Sequence, residues 1–167
     1  MKKQKAAEVK EASQQYLTFC IGDEYFGLEL NQTREILEYS NATEVPLMPA
    51  FVAGVINLRG EVVPVIDLAI RLGREPIRIH KRTCVIIVEL HDYEQEYVLG
   101  LMVDSVNEVI ELFKSDIEAP PSFGAKIRAE FILGIAKNEE DFVILLDAEK
   151  TLSPIELASL VEAELQK

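Results

Sequence analysis

The apolar positions of this chain fall in short runs separated by Gly, Pro, Asn and Asp, a pattern of strands and turns rather than long helices. Tyr16–Ile21 reads as a strand, Gly22-Asp23-Glu24 as a turn and Tyr25–Leu30 as the returning strand of a hairpin. Before it, Met1 to Gln15 are polar, show no period and read as a flexible N-terminal tail. Thr33–Glu38 fits a helical turn or a strand equally well. Val45-Pro46-Leu47-Met48-Pro49 reads as an extended connector, because two prolines restrict it. Thr83–Leu90 and Tyr97–Val103 form a second pair of strands around the loop His91–Glu96, and Val106, Val109 and Ile110 continue the apolar pattern. Ala119-Pro120-Pro121-Ser122 is another proline-rich connector. Phe131–Ile135 and Phe142–Leu146 form a last hairpin. Two helices are expected. A short one over Asp67–Leu72 has Asp67 as N-cap and Gly73 at its end. A C-terminal one over 153–167 starts at Ser153-Pro154-Ile155-Glu156 and carries the apolar stripe Leu157, Leu160, Val161 and Leu165.

The centre of the pattern is Phe51 to Leu68, two apolar runs around the polar turn Asn57-Leu58-Arg59-Gly60. Gly60 can take a positive φ, and Asn57 can bond its own backbone at the turn. Pro64 cannot donate to a ladder, so it favours an edge strand or a strand that breaks there. Arg59 is a long cation on a tight turn, held out towards solvent or a partner.

The two halves echo each other. Gly27, Glu35, Ile36 and Glu38 recur as Gly100, Glu108, Val109 and Glu111 at an offset of 73. Phe51, Gly54, Val63, Asp67 and Leu72 recur as Phe131, Gly134, Val143, Asp147 and Leu152 at an offset of 80. One insertion between Ala119 and Arg128 accounts for the difference. The reading is a mainly β chain of two similar tandem lobes, each of about five short strands, spanning residues 16–152 and interleaving or abutting near 74–82. Residues kept in both halves, such as Gly54 with Gly134 and Asp67 with Asp147, are explained by lobe architecture. The Asn57–Gly60 turn is not kept: its counterpart is Lys137-Asn138-Glu139-Glu140. Arg59 is therefore not an architectural requirement, which points to function.

At 167 residues the chain is long enough for a real core, and 49% apolar with 28% charged is an ordinary globular balance. A net charge of −12 argues against nucleic acid and anionic lipid as partners. No apolar run approaches the roughly 20 residues needed to span a bilayer, and no apolar segment follows Lys2, Lys3 and Lys5, so neither membrane insertion nor a signal peptide is expected. The expected location is the cytoplasm. Cys20 and Cys84 sit in apolar runs and read as core thiols; His80 and His91 lack metal-ligand spacing to each other or to the cysteines. No phosphate loop, nucleophile elbow or linked base is present, so no catalytic residue, metal or cofactor is assigned. Acidic pairs such as Asp23/Glu24 and Glu139/Glu140 read as solvated turns. A binding module fits better, with Val103, Val106 and Val109 as candidate groove lining. The alternative is an enzyme or small-ligand-binding protein using carboxylates in an inter-lobe cleft, which would require Asp23, Asp67, Glu139 and Asp141 to converge.

Gly54-Val55-Ile56-Asn57-Leu58-Arg59-Gly60 followed by Pro64-Val65-Ile66-Asp67-Leu68 resembles the signature of the CheW-type chemotaxis coupling proteins. Gly22-Asp23-Glu24-Tyr25-Phe26-Gly27, Arg34-Glu35-Ile36 and Gly100-Leu101-Met102-Val103-Asp104 extend the resemblance over most of the chain. It implies two five-stranded SH3-like barrels packed together, and a non-catalytic adaptor between methyl-accepting chemoreceptors and the histidine kinase CheA. The receptor's cytoplasmic hairpin tip would sit in the groove between the lobes, and the regulatory domain of CheA would be the second partner. By matching position, Glu35, Asn57, Arg59, Val103, Val106 and Val109 would be partner-binding, with Gly54, Gly60 and Gly100 supporting them. Opposite charge also makes Glu35 and Arg59 candidates for a mutual ion pair, each holding the other's position.

Overall fold

The computed structural model describes residues 12–92, 94–120 and 127–153. Most of the expected N-terminal tail, the second half of the Ala119–Ser122 connector and all of the C-terminal helix beyond Ser153 lie outside these residues. The described chain is mainly β, with a few short helices. Its first strands are β1 (Ser13–Ile21), β2 (Glu24–Glu29) and β3 (Thr33–Glu38). The central hairpin is β4 (Val52–Leu58) with β5 (Glu61–Asp67), followed by helix α1 (Leu68–Arg71). Then come β6 (Cys84–Asp92), β7 (Gln95–Val103), β8 (Ser105–Phe113) and the two-residue β9 (Ile117–Glu118). The last hairpin is β10 (Ile132–Asn138) with β11 (Asp141–Leu146), closed by helix α2 (Ala148–Thr151).

The strands form two sheets, one of five in the order β3-β6-β7-β5-β4 and one of six in the order β8-β1-β2-β11-β10-β9. Translated through the internal repeat, β1 to β5 correspond to β6, β7, β8, β10 and β11, and the two orders then coincide apart from β9, which adds an edge strand to the six-stranded sheet. Each sheet is therefore built from both halves of the chain. The five-stranded sheet takes β3, β4 and β5 from the first half and β6 and β7 from the second; the other sheet takes the complement. The chain crosses between sheets at the 3-10 turn Leu30–Gln32 and at Asp104. In each sheet the halves are joined by one antiparallel pairing, β3 with β6 or β1 with β8, and by one parallel pairing, β5 with β7 or β2 with β11; in the parallel splices Val65 faces Gly100 and Leu145 faces Gly27. A Cβ on Gly100 would lie 2.8 Å from Val85 Cγ1, and one on Gly27 would lie 2.9 Å from Leu145 Cδ2. The repeated glycine leaves room for close side chains, Leu145 across the splice at Gly27 and Val85 of β6 at Gly100.

The larger core is continuous across both sheets, holding Phe19, Phe26 and Leu28 of one together with Ile86, Ile87 and Leu101 of the other. A smaller cluster of Tyr16, Leu112, Ala136, Val143 and Leu145 lies within the six-stranded sheet. Asp67 and Asp147 cap α1 and α2 through Ile70 N and Lys150 N, as their spacing predicts. Asp67 does more. Its second carboxylate oxygen accepts a hydrogen bond from Ile77 N at 3.1 Å, which ties the segment after α1 to the sheet end. Burial raises the Asp67 pKa, and the backbone donors Ile77, Ile70 and Ala69 oppose that rise.

Several expectations change. β1 begins at Ser13, inside the stretch read as tail. Ser13 and Gln15 stay exposed and Gln14 is half-buried, but their backbone pairs with Glu111–Phe113, and this pairing extends the strand where the apolar pattern gives no signal. Thr33–Glu38 is a strand. The Pro46-Leu47 step makes a turn instead of running extended, with Leu47 at φ 64°. Pro64 lies on a strand with a neighbour on each side, yet pairing to β7 starts only at Val65, so its missing N–H falls where that ladder is absent. The sheets have six and five strands rather than five each, and among the described residues no backbone pairing joins the two ends of either sheet.

Where the sheets meet, Arg71 of α1 reaches the other sheet's helix. Its Nε donates to Thr151 O at 2.7 Å, and its guanidinium lies 4.8 Å from the centre of the Phe131 ring and 5.9 Å from that of Phe51. Arg128 also covers Phe131, at 4.5 Å.

Two stability outcomes follow from these contacts. Gly54 sits in a bulge at φ 152° with Thr43 O only 2.5 Å from where its Cβ would be, and Gly134 repeats the bulge with Glu118 O at 2.9 Å. Gly54→Ala and Gly134→Ala should each lower unfolding free energy by about 1–3 kcal/mol in urea titration, because backbone has to move. Arg71→Ala should cost about 1–2 kcal/mol by the same measurement, through the lost stacking and the orphaned Thr151 carbonyl.

Candidate functional site

The β4–β5 hairpin turns on two residues, Arg59 at φ 52° and Gly60 at φ 87°. Two successive left-handed residues match the twist of the flanking strands. Asn57 Oδ1 accepts a hydrogen bond from Gly60 N at 2.9 Å, which holds the turn. The left-handed backbone at Arg59 aims its side chain sideways to β3, on the other end of the five-stranded sheet. There Nη1 and Nη2 donate to Glu35 Oε2 and Oε1 at 2.8 and 2.9 Å, a two-pronged ion pair. Arg59 remains 70% exposed while Glu35 is 23% exposed, so the carboxylate is the seated partner and the guanidinium the presented one. The hydrogen bond from Arg59 is the largest cause holding the Glu35 carboxyl below its ordinary pKa; Arg34 adds to it.

The other sheet has a matching seam. Glu108 of β8 accepts a hydrogen bond from Asn138 Nδ2 at 3.3 Å, from the turn of the last hairpin. Glu108 and Asn138 stand at the repeat positions of Glu35 and Leu58. The exposed apolar residues match too. Ile36 and Val109 are 44% and 45% exposed, and Val62 and Phe142 are 70% and 63% exposed, each pair related by the repeat offsets. The offsets predict this equivalence; single residue types do not, and sequence reasoning passed over Ile36, Val62 and Phe142.

The structure brings Glu35, Asn57, Arg59 and Gly60 together at one seam, with Gly54 earlier on the same hairpin. The valines are elsewhere. Val103 is fully buried in the core beside the Asp104 crossing, Val106 is half-buried just after that crossing, and Val109 is exposed on β8, the end strand of the other sheet. Gly100 lies in β7 at the splice. A cleft of about 750 Å³ lies between the sheets at the β1–β2 turn, the Asp104 crossing and the segment after α1. Its walls include Gly22, Asp23, Ile77 and Asp104, and none of the residues assigned to partner binding. Asp104 accepts a hydrogen bond from Gly22 N, and Arg74 forms a forked ion pair with Glu24 at 2.7–3.0 Å, and these two contacts brace the cleft.

The four carboxylates of the enzyme alternative do not converge. Asp67 is buried at the α1 cap, Asp23 faces the inter-sheet cleft, and Glu139 and Asp141 line a separate cavity in the six-stranded sheet. Cys20 and Cys84 are free and half-buried; burial raises the Cys84 thiol, with the Val106 backbone opposing. His80 lies 4.0 Å from Asp104 and His91 3.8 Å from Glu96, both at exposed positions. Among the described residues no three metal-ligating side chains are grouped to hold an ion, and no helix is long and apolar enough to cross a membrane.

Comparison with known proteins accounts for this architecture. The family model for the CheW-like domain matches residues 15–156. The chemotaxis protein CheW of Klebsiella aerogenes is 33% identical over 145 residues, covering 87% of this chain and 85% of the relative. The CheW of Bacillus subtilis is 33% identical over 146 residues, covering 87% and 90%. The crystal structure of the scaffolding protein TtCheW from Thermoanaerobacter tengcongensis superimposes with a TM-score of 0.72 at 34% identity, over 81% of this chain and 90% of that one. With the domain match running from β1 to beyond α2, and the Asn57–Gly60 turn and both splice glycines inside it, this chain belongs to the CheW family.

Proposed function

We propose that the chain is a non-catalytic adaptor of chemotaxis signalling that works in the cytoplasm and couples methyl-accepting chemoreceptors to the histidine kinase CheA. Its direct contacts are the receptor's cytoplasmic hairpin tip and the regulatory domain of CheA. Each sheet, its ends drawn together by Glu35–Arg59 or Glu108–Asn138, is read as an SH3-like barrel. The family match over nearly the whole described chain carries the reading. The dispersal of the four carboxylates supports it over a carboxylate enzyme.

Arg59, seated on Glu35 and presented to solvent, is the leading contact residue. Asn57 and Gly60 hold its turn, and Gly54 shapes the same hairpin. Val106 and Val109 offer apolar surface on β8, while Val103, buried in the core, and Gly100 on β7 support the fold behind the site. No bond changes in such an adaptor. What it transmits is a coupling free energy between receptor state and kinase activity, and multivalent assembly multiplies modest contacts.

Two outcomes test this reading. In calorimetric titrations with a receptor cytoplasmic fragment and the CheA regulatory domain, the intact chain should bind both. Arg59→Ala, folded by circular dichroism, should weaken at least one by about five- to tenfold. Binding of neither partner by the intact chain would overturn the adaptor reading; equal binding by the variant would remove Arg59 from the contact. The second outcome concerns pH. A carboxyl whose pKa is lowered on folding contributes stability above its unfolded pKa and loses it as pH falls through the lowered, folded value. The affinity ratio of intact chain to Arg59→Ala should therefore stay constant through the range where an unpaired Glu protonates. It should collapse only at more acidic pH.

A further inference from the structure

The segment between α1 and β6 is held differently from the sheets on either side of it. Residues 73–79 form neither helix nor strand, and they run from Gly73, at φ 82°, to a turn pinned by Thr83. In that turn His80 N donates to Thr83 Oγ1 at 2.9 Å, Thr83 N donates to His80 O at 3.1 Å, and Thr83 is buried. Between these fixed points one side chain is buried, Ile77 at 8% exposure, while Glu75, Pro76, Arg78 and Ile79 lie open to solvent. From Glu75 to Ile79, the Ile77 amide is the only backbone N–H with a hydrogen bond among the described residues, and its acceptor is the buried Asp67 carboxylate at 3.1 Å. The cap of α1 uses the other oxygen of Asp67, as Asp147 Oδ1 caps α2, so starting the helix does not require the bond to Ile77. The second tie is the forked pair of Arg74 with Glu24, on a strand of the other sheet. The segment lines the inter-sheet cleft together with Ile21, Gly22, Asp23 and Glu24.

We propose that residues 73–79 are a strap that opens as a unit while both sheets stay folded, with the Asp67–Ile77 bond and the Arg74–Glu24 pair as its two latches. Two independent features carry this. The first is the holding pattern: opening breaks two polar ties and unseats one apolar side chain, far less than either sheet gives up on unfolding, and local opening follows the regions with fewest such contacts. The second is position: the strap ends at a glycine on one side and a pinned turn on the other, and no strand runs through it. Closed, the cleft presents a charged rim. Open, it gains apolar surface from Ile77 and from the buried cleft residues Ile21 and Ala69. The latches also differ in kind. Arg74 and Glu24 are 21% and 42% exposed, so salt screens that pair, whereas the Asp67 bond is buried and is not screened.

The test follows the intact chain by two readouts. Hydrogen exchange at the Ile77 amide reports release of the Asp67 bond. Trypsin cleavage between Arg78 and Ile79, mapped by mass spectrometry, reports release of the strap, because a protease engages residues on both sides of the bond and Ile77 has to leave its seat. Asp67→Asn keeps an oxygen for the α1 cap and removes the second acceptor. Both rates should rise by about tenfold or more and by matching factors, with the amides of Ile86, Ile87 and Leu101 in the core rising at least about threefold less. Glu24→Gln should raise both rates about two- to fivefold, and about 0.5 M NaCl should do the same to the intact chain but not to Glu24→Gln. Ile77 exchange that rises only in step with the core amides, cleavage after Arg78 that stays unchanged while the amide is released, or no response of either rate to the two variants would each overturn the proposal. Glu24→Gln leaves the buried cap untouched, so it decides the matter if Asp67→Asn fails to fold. No chemotaxis partner enters this experiment, and its result is independent of the adaptor reading.

Discussion

Two short parallel pairings, β5 with β7 and β2 with β11, are the constraint on which the remaining structure depends. Each joins strands from opposite halves of the chain. The antiparallel pairings of β3 with β6 and β1 with β8 join the halves as well, and the parallel pairs attach the remaining hairpins to them. With them, β1 and β2 complete one sheet while β6 and β7 complete the other, and the larger apolar cluster runs through both. Close packing around β2 and β7 accounts for the repeated glycine. Gly27 and Gly100 each lie where a side chain from the neighbouring strand approaches too closely for a Cβ. Exchange of equivalent elements between duplicated units is a low-cost way to bind them, since each exchanged strand makes the contacts it would make at home.

The same duplication provides an internal comparison for the surface. At equivalent seams, one copy carries a forked ion pair and the other a single amide contact, with no cation among the described residues within ion-pair distance of Glu108. Strand order, bulges, caps and exposed apolar positions are retained in both, whereas the turn residues are not. Divergence confined to a tight turn cannot be a demand of the fold, because both turns close hairpins of the same register. The two ends of the molecule therefore present different chemistry on one scaffold: a cation at the first, anions at the second.

The Glu35–Arg59 pair shows how local conformation becomes a functional feature. A non-glycine residue in the left-handed region is disfavoured by roughly 1–2 kcal/mol, and here it sits on the one side chain of the hairpin that reaches across the sheet. The pair is exposed on the arginine side, where a surface ion pair adds little to stability. Its effect is positional: it fixes where the guanidinium points.

Short-range chemistry made much of this protein legible in its sequence. The hairpin turns at Gly22 and at Arg59-Gly60, the Asp67 and Asp147 caps, the alternation of the core strands and the repeat of Gly27 with Gly100 all act within a few residues, or recur at a fixed offset. The resemblance carried by the Asn57–Gly60 turn then named the family. Other features were not legible. Ser13–Gln15 join a strand through backbone pairing alone. Glu35 and Arg59 could be named as a candidate pair, but Arg71 meets Thr151 at a separation of 80 with no sequence signal for it. Strand exchange leaves no local mark, because β1 would alternate in the same way whichever sheet received it. By itself the sequence determined the elements, their turns and caps and the existence of two equivalent halves, since these depend on side chains close along the chain. Only the tertiary structure decided which half completes which sheet and which charges meet at each seam, since those follow from burying a common core among strands far apart in sequence.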